Sequence, residues 1–519
     1  MPESDTAHRS SADRAARPLA VVSNREPYLH SLAEDGTVSW SPTTGGVAVA
    51  LDALMHERGG VWIAHGAGDA DRLVVDAHDR VSVPPDAPSY PLRRIWLTEA
   101  EEHHYYEGFA NEGLWPLCHV AHVKPIFRAE DWRAYQAVNE RFARAVEEEL
   151  PDPAAPVFIQ DYHLTLVARH LRALRPDVRI ALFWHIPFPH PDQLRICPYR
   201  REILEGLVAS DLVAFQLERD RRNFLAAART ELGAKVSRSR VYFQNRSTTV
   251  YAVPIGVDFD RIQAVTHGPE LEAEKERLRR ELRIDTPLVG IGVDRLDYTK
   301  GIPERLDALD RLFTRRPELR RQLTFVQIAV PSRSKLESYA AVEADIDQRV
   351  AAINARHAGD GLAGGPIRYR KSALRIRRLV ALYRLADFCI VSSLHDGMNL
   401  VAKEFVAARE DLDGVLVLSE FAGAAQELGD AVIINPYDVD GFADGLEQAL
   451  DMALEERQRR MRALRRVVAG RDVVQWASDI LEGLEHLDPR SMPAAPGSAP
   501  RKAPSDTRIV STSSPTAGR

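Results

Sequence analysis

The sequence predicts an α/β protein of two doubly wound domains that share one site in the cleft between them, and three observations carry that prediction. Short, near-continuously apolar runs rich in β-branched residues alternate with amphipathic stretches of helical length, the pattern of parallel sheets covered on both faces. The runs fall into two series separated by a charged helical stretch, ELEAEKERLRRELRI. At 519 residues the chain is also too long for a single core.

In chain order, residues 1–17 are small and polar and read as a disordered tail. LAVVSN, VWIAH, PVFIQD, IALFWH, DLVAFQ and TTVYAVPIG are the strands of a first domain, 18–260. LVGIGVDR, LTFVQIAV, IRYRK, FCIVSS, VLVLSE and AVIINP are those of a second, 261–471. The segment 489–519 is rich in Pro, Ser and Ala and reads as a second disordered tail.

Composition narrows the class. At 45% hydrophobic and 28% charged the chain is an ordinary globular protein, and a net charge of -7 argues against nucleic acid as a partner. Cys118, Cys197 and Cys389 are widely spaced and suggest neither a disulfide framework nor a zinc site, so a cytoplasmic location is expected. No run approaches the ~18 apolar residues of a membrane span, and the N-terminus lacks the apolar core of a secretory signal.

Ligands of open α/β sheets sit past the carboxyl ends of the strands. Arg25, Asp161, His185, Arg295, Arg333 and Asp396 all stand at or just past such ends, three in each domain. VDRLDYTKG (293–301) places Arg295 and Lys300 before a helix start, where two cations and main-chain amides suit a diphosphate. In LHDGMNLVAKE (394–404), Asp396 at a helix N-terminus and Glu404 two turns on suit sugar hydroxyls. TTGG (43–46) opens another helix but lacks the GxGxxG spacing of a dinucleotide site, which disfavours a nicotinamide enzyme. His185 reads as a core histidine or a sugar contact, and Tyr105, Tyr106 and Trp115 as core aromatics or a sugar platform. Arg25 and Arg333 together would clamp a phosphate across the cleft. Acidic pairs such as Asp69/Asp71 are expected by chance in a chain with 75 acidic residues, so no metal site is assigned.

These residues lie in motifs that resemble the trehalose-6-phosphate synthase family. SNRE, TTGG, YYEGFANEGLWP, QDYHL, HIPFP, RLDYTKG, DGMNLVAKE and VLSEFAGAAQEL occur in that family's order between about residues 19 and 487. The resemblance implies the GT-B architecture of two Rossmann-like domains, with a last helix, 472–488, crossing back to the first. It also implies transfer of glucose, with retention, from a nucleotide donor (usually UDP-glucose) to glucose 6-phosphate, without cofactor or metal. Arg295, Lys300 and Gly46 would bind the donor diphosphate, and His185 and Asp396 the donor sugar. Glu404 would take the ribose, with Gly397, Met398, Asn399 and Leu400 adding contacts. Asp161 and Trp115 would face the acceptor sugar, and Arg25, Tyr106 and Arg333 its phosphate; Arg295, Lys300, Asp161 and His185 form the catalytic set. Glu26, His65 and His395 depart from the family's usual wording, and the first two are expected in loops facing the acceptor. With no carboxylate pair evident beside the diphosphate cations, front-face displacement is the expected route. Another phosphorylated acceptor such as glycerol 3-phosphate, or a non-catalytic sugar-phosphate sensor, remains an alternative, and homo-oligomerisation stays open.

Overall fold

The structure, a computed structural model, describes residues 18–43, 46–150, 155–333, 335–358 and 364–487. Both tails expected at 1–17 and 489–519, and Thr44 and Gly45 of the TTGG run, lie outside the described residues.

The first domain supplies β1 (Leu19–Arg25), β2 (Tyr28–Leu32), β3 (Val38–Pro42), β4 (Gly60–His65), β5 (Arg80–Val83), β6 (Tyr90–Ile95), β7 (Val157–Gln160), β8 (Ile180–Trp184), β9 (Leu212–Phe215), β10 (Lys235–Ser237), β11 (Arg240–Phe243) and β12 (Arg246–Ala252). The second supplies β13 (Leu288–Arg295), β14 (Leu323–Val330), β15 (Ile367–Arg370), β16 (Phe388–Val391), β17 (Val415–Ser419) and β18 (Val432–Ile434). Each apolar run forms a strand. β7, β8 and β9 are buried at every position, which is why they read as unbroken apolar runs. The sequence patterns passed over β2, β3, β5, β6, β10 and β11. β3 is exposed along its whole length, and Pro91 interrupts the pattern of β6.

The first sheet runs β10-β11-β12-β9-β8-β7-β1-β4-β6-β5 and the second β15-β14-β13-β16-β17-β18. β1 pairs in parallel with β4 on one side and β7 on the other, so the winding reverses between β1 and β7. It reverses again between β13 and β16. A crevice opens at the carboxyl ends of the strands at each reversal. Arg25 and Asp161 flank the first crevice, Arg295 and the Asp396 loop the second.

The chain passes between the domains twice, side by side. Val257 bridges in parallel to Asp472, and a Cβ on Gly256 would lie 1.9 Å from the Arg471 carbonyl oxygen, so only glycine allows that approach. Lys403 Nζ donates to Ile255 O at 2.7 Å and pairs with Glu427. The Val473–Glu485 helix then lies on the first sheet, with Trp476 edge-on to Phe183 at 4.8 Å.

Glu26 corrects one expectation, and Asp71 shares its network. The Glu26 side chain turns inward rather than toward an acceptor: it accepts from Arg94 Nε at 2.7 Å and from the Ala67 amide at 2.9 Å. Burial and the neighbouring Asp71 push its carboxyl up to about 8 despite Arg94. Asp71 accepts from the amides of His30 and Gly68 and sits 2.8 Å from Arg94 Nη2, so both of its oxygens are engaged. The reason is Arg94, a fully buried guanidinium that needs carboxylates around it. Asp71→Ala therefore lowers stability by about 3–5 kcal/mol, read as an earlier urea midpoint; an unchanged midpoint would mean the network is not structural.

Candidate active site

On the second domain, Arg295 ends β13 and the chain enters the tight Tyr298–Lys300 turn. Asp297 caps this turn, accepting from Thr299 N at 3.0 Å and Thr299 Oγ1 at 2.9 Å. Gly301 follows at φ 63, where a Cβ would meet the Ser392 carbonyl oxygen at 2.1 Å, and starts the Ile302–Arg315 helix. Beneath the turn, fully buried Arg305 holds Ser392 Oγ at 3.0 Å, and Ser392 Oγ reaches the Gly301 carbonyl at 2.8 Å. Lys300 is thus held by a rigid turn. Its Nζ lies 2.5 Å from Asp396 Oδ2, and that charge, outweighing burial, brings the Asp396 carboxyl down to about 2.

Asp396 is not the helix cap its position suggested. Asn399, at φ 78, caps the Leu400–Ala408 helix through Ala402 N, and its amide reaches back to Asp396 Oδ2 at 3.2 Å. Asp396 Oδ2 thus gathers Lys300, Asn399 and Ser393 around it. Glu404 lies inside the helix, where Tyr383 donates to it at 3.0 Å and burial raises its carboxyl pKa.

On the first domain, Glu102–Leu114 forms a π-helix, a rare winding that recurs at functional sites. It separates its two tyrosines. Tyr105 is buried and donates to Asn24 at 2.8 Å, a core role, while the Tyr106 hydroxyl lies 3.5 Å from Arg25 Nη2. Burial would raise the Tyr106 pKa, but Arg333 and Arg25 outweigh it and bring the phenol down to about 8. A phenolate would repel an anion held by the same arginines. A phosphate-bearing ligand held at these arginines is therefore expected to bind more weakly as pH rises through about 8, seen as a rising KM for that ligand that Tyr106→Phe abolishes.

Arg333 reaches the same place from beyond β14. Its side chain is buried: Nη1 donates to Tyr339 Oη at 2.5 Å and Nη2 to Tyr162 Oη at 3.3 Å, with Asp297 at 3.5 Å. Trp115 of the first domain lies against both second-domain arginines, 4.2 Å from Arg333 and 5.5 Å from Arg295. These contacts bring the two crevices into one cleft.

Asp161 and His185 form its floor. Asp161 has φ 73 and ψ 171, a strained conformation for a residue other than glycine, and accepts from the amides of Tyr162 at 2.9 Å and His185 at 3.1 Å. Burial pushes its carboxyl up to about 6 against those amides and the charges of Arg333 and Arg295. His185 is held at Nε2 by Gln160 at 3.0 Å, with Gln216 at 3.5 Å from Nδ1, and burial keeps it neutral, its pKa down at about 3.

The roof is close. A Cβ on Gly397 would lie 2.3 Å from the His185 carbonyl oxygen, and one on Gly46 would lie 2.3 Å from Leu400 Cδ1. The N-termini of the Gly46–Arg58 and Leu400–Ala408 helices thus meet at one point, both directing positive ends there. Met398 is buried behind them, its carbonyl accepting from Ala424 N at 2.7 Å. His65 is the last residue of β4, paired with Arg25, rather than part of a loop as expected.

The structure therefore gathers the sequence-selected residues at one cleft, with Glu404 set back in its helix. Sequence reasoning missed Tyr162, Tyr339, Asp297, Gln160 and Gln216, which hold the selected groups in place. Three of these lie within or beside quoted motifs, but nothing in their spacing marks them as partners of Arg333 or His185. Four cations, Arg25, Arg295, Lys300 and Arg333, stand among three carboxylates, Asp161, Asp297 and Asp396, which still leaves an excess of positive charge suited to anionic ligands.

Comparison with known proteins agrees with this geometry. The family model described as glycosyltransferase family 20 matches residues 17–486. The trehalose-6-phosphate synthase of Mycobacterium avium (strain 104) is 40% identical over 483 residues, 91% of this chain and 96% of the relative. That of Mycolicibacterium smegmatis is 41% identical over 476 residues, 90% and 92% of the two chains. Among solved structures, an α,α-trehalose-phosphate synthase (UDP-forming) from Burkholderia xenovorans in complex with glucose-6-phosphate superposes with a TM-score of 0.80 at 33% identity, covering 90% of this chain and 100% of that one. A trehalose-6-phosphate structure from E. coli bound with UDP-2-fluoro glucose gives 0.81 at 31% identity, over 91% and 100%. The fold is GT-B, and with the matched motifs running the length of both sheets, the chain belongs to glycosyltransferase family 20.

Proposed function

We propose that this protein is a trehalose-6-phosphate synthase that transfers glucose from UDP-glucose to glucose 6-phosphate with retention, yielding α,α-trehalose 6-phosphate. The observation that carries the reading is the single cleft with cationic groups at both ends, Lys300 and Arg295 on one side and Arg25 and Arg333 on the other, bridged by Trp115. Trehalose-6-phosphate synthases at about 40% identity support it. So do neighbouring structures containing UDP-2-fluoro glucose and glucose-6-phosphate.

In this reading Arg295, Lys300 and the first amides of the Leu400–Ala408 helix neutralise charge as it develops on the leaving diphosphate. Asp396 stands beside Lys300 at the donor sugar, and the diphosphate competes with its carboxylate for the ammonium. Asp161 and neutral His185 orient hydroxyls at the reacting carbons. Arg25, Tyr106 and Arg333 hold the acceptor phosphate. Asp297 is committed to Thr299 and Arg333 and Asp396 to Lys300, which leaves Asp161, itself accepting two main-chain amides, without a second carboxylate to act with as nucleophile and acid among the described cleft residues. The acceptor hydroxyl then attacks on the face the diphosphate leaves, and the leaving phosphate oxygen takes its proton. Glu26, one of the two departures expected to face the acceptor, points away from it.

NMR of the purified product tests the reading. Two α-anomeric protons in a 1,1-linked disaccharide phosphate are expected. A glucosylglycerol phosphate would overturn the acceptor assignment, and a β-linkage the front-face route.

A further inference from the structure

We propose that Arg219, His395 and His119 form a corner of the cleft that reads one hydroxyl of the transferred hexose, adding a specificity device to the donor and acceptor groups above; this rests on the glucosyl-transfer reading. Arg219 stands in the first turn of the Glu218–Leu232 helix, just past the carboxyl end of β9. It reaches the second domain, where its Nη2 lies 3.2 Å from Nε2 of His395, the residue preceding Asp396. On the other side of the ring, the main-chain N–H of Val120 donates to Nδ1 at 3.2 Å.

Two donors therefore face one imidazole. Burial and then the charge of Arg219 keep this ring neutral, with its pKa down at about 4. A neutral imidazole has one lone pair. The Cys118 carbonyl also acts on this ring, so the imidazole serves Arg219 as an acceptor, and the guanidinium, with Asp220 3.8 Å from its Nε, keeps further N–H groups to offer.

His119 supplies the complement. Its Nδ1 donates to the Trp115 carbonyl at 2.9 Å, which leaves Nε2 as a bare lone pair. The residue is 1% exposed, that nitrogen has no partner, and the ring stands edge-on to His395 at 6.2 Å. The corner holds spare guanidinium donors and one surplus acceptor. A carboxylate or phosphate only accepts and would set its charge against the His119 lone pair. A hydroxyl accepts and donates, and one beside Asp396 belongs to the donor hexose.

Steady-state kinetics with UDP-glucose and its 3-, 4- and 6-deoxy analogues, at saturating glucose 6-phosphate, test the corner, with folding checked by melting temperature. Arg219→Gln is expected to lower kcat/KM for UDP-glucose by roughly tenfold or more and to leave the acceptor KM unchanged. One deoxy donor should suffer the same loss on the wild type and no further loss with the variant, because the same contact is already gone. Arg219→Gln within about twofold of wild type, or equal additional losses with every deoxy donor, would overturn the proposal. If the wild type makes no disaccharide phosphate, the glucosyl-transfer reading itself falls; a working wild type with a silent Arg219→Gln removes only the corner.

Discussion

Lys300→Ala lowers turnover by about a hundredfold or more, the cost of removing one preorganised charge from a developing diphosphate. Lys300 is held for this by the Tyr298–Lys300 turn, by Gly301 at its left-handed φ and by Ser392 beneath. The substitution also strands Asp396, whose low pKa depends on Lys300, so its carboxyl titrates at a higher pH in the variant. The check is kcat with UDP-glucose alongside the melting temperature. A folded variant with near-normal kcat would place the diphosphate elsewhere. Arg295→Ala removes the second cation and follows the same expectation, with the added loss of its contact on Trp115.

Removing the acceptor-side arginines has a different signature. Arg25 is exposed and its one side-chain hydrogen bond among the described residues is to Tyr106, so Arg25→Ala raises the KM for glucose 6-phosphate by roughly tenfold to a hundredfold without unfolding the protein. The donor KM holds. Arg333→Ala does the same and also destabilises the protein by about 3 kcal/mol, because it removes a partner of the fully buried Asp297. Initial rates over a glucose 6-phosphate series, with a parallel denaturation curve, separate the two effects. Unphosphorylated glucose used as well as glucose 6-phosphate, or an unchanged acceptor KM in both variants, would remove the phosphate clamp.

Part of the site was legible because sheet winding is a local property. β13 and β16 announce themselves as apolar runs, and the first polar residues beyond them, Arg295 and the Asp396 loop, stand at a crevice whatever the detailed packing. His185 illustrates the limit. The sequence left it between core histidine and sugar contact, and the structure gives it features of both: a glutamine on Nε2, and a main chain that joins Asp161 to Gly397. Tyr162 and Tyr339 carried no signal, because a tyrosine beside a strand end reads the same whether its hydroxyl meets an arginine or water.

The sequence by itself determined the two-sheet architecture, the strand ends that matter and the set of charged residues at them, since alternation and burial are written residue by residue. The tertiary structure decided which of those charges meet. Lys300 finds Asp396 across 96 residues of chain, and Arg333 finds Tyr162 across 171. Glu26, next to Arg25 in sequence, faces the opposite way because a buried Arg94 from β6 is waiting for it. Pairing of this kind follows from the docking of two sheets and from the high cost of burying an unpaired charge. Both are properties of the packed molecule that no local spacing in the chain encodes.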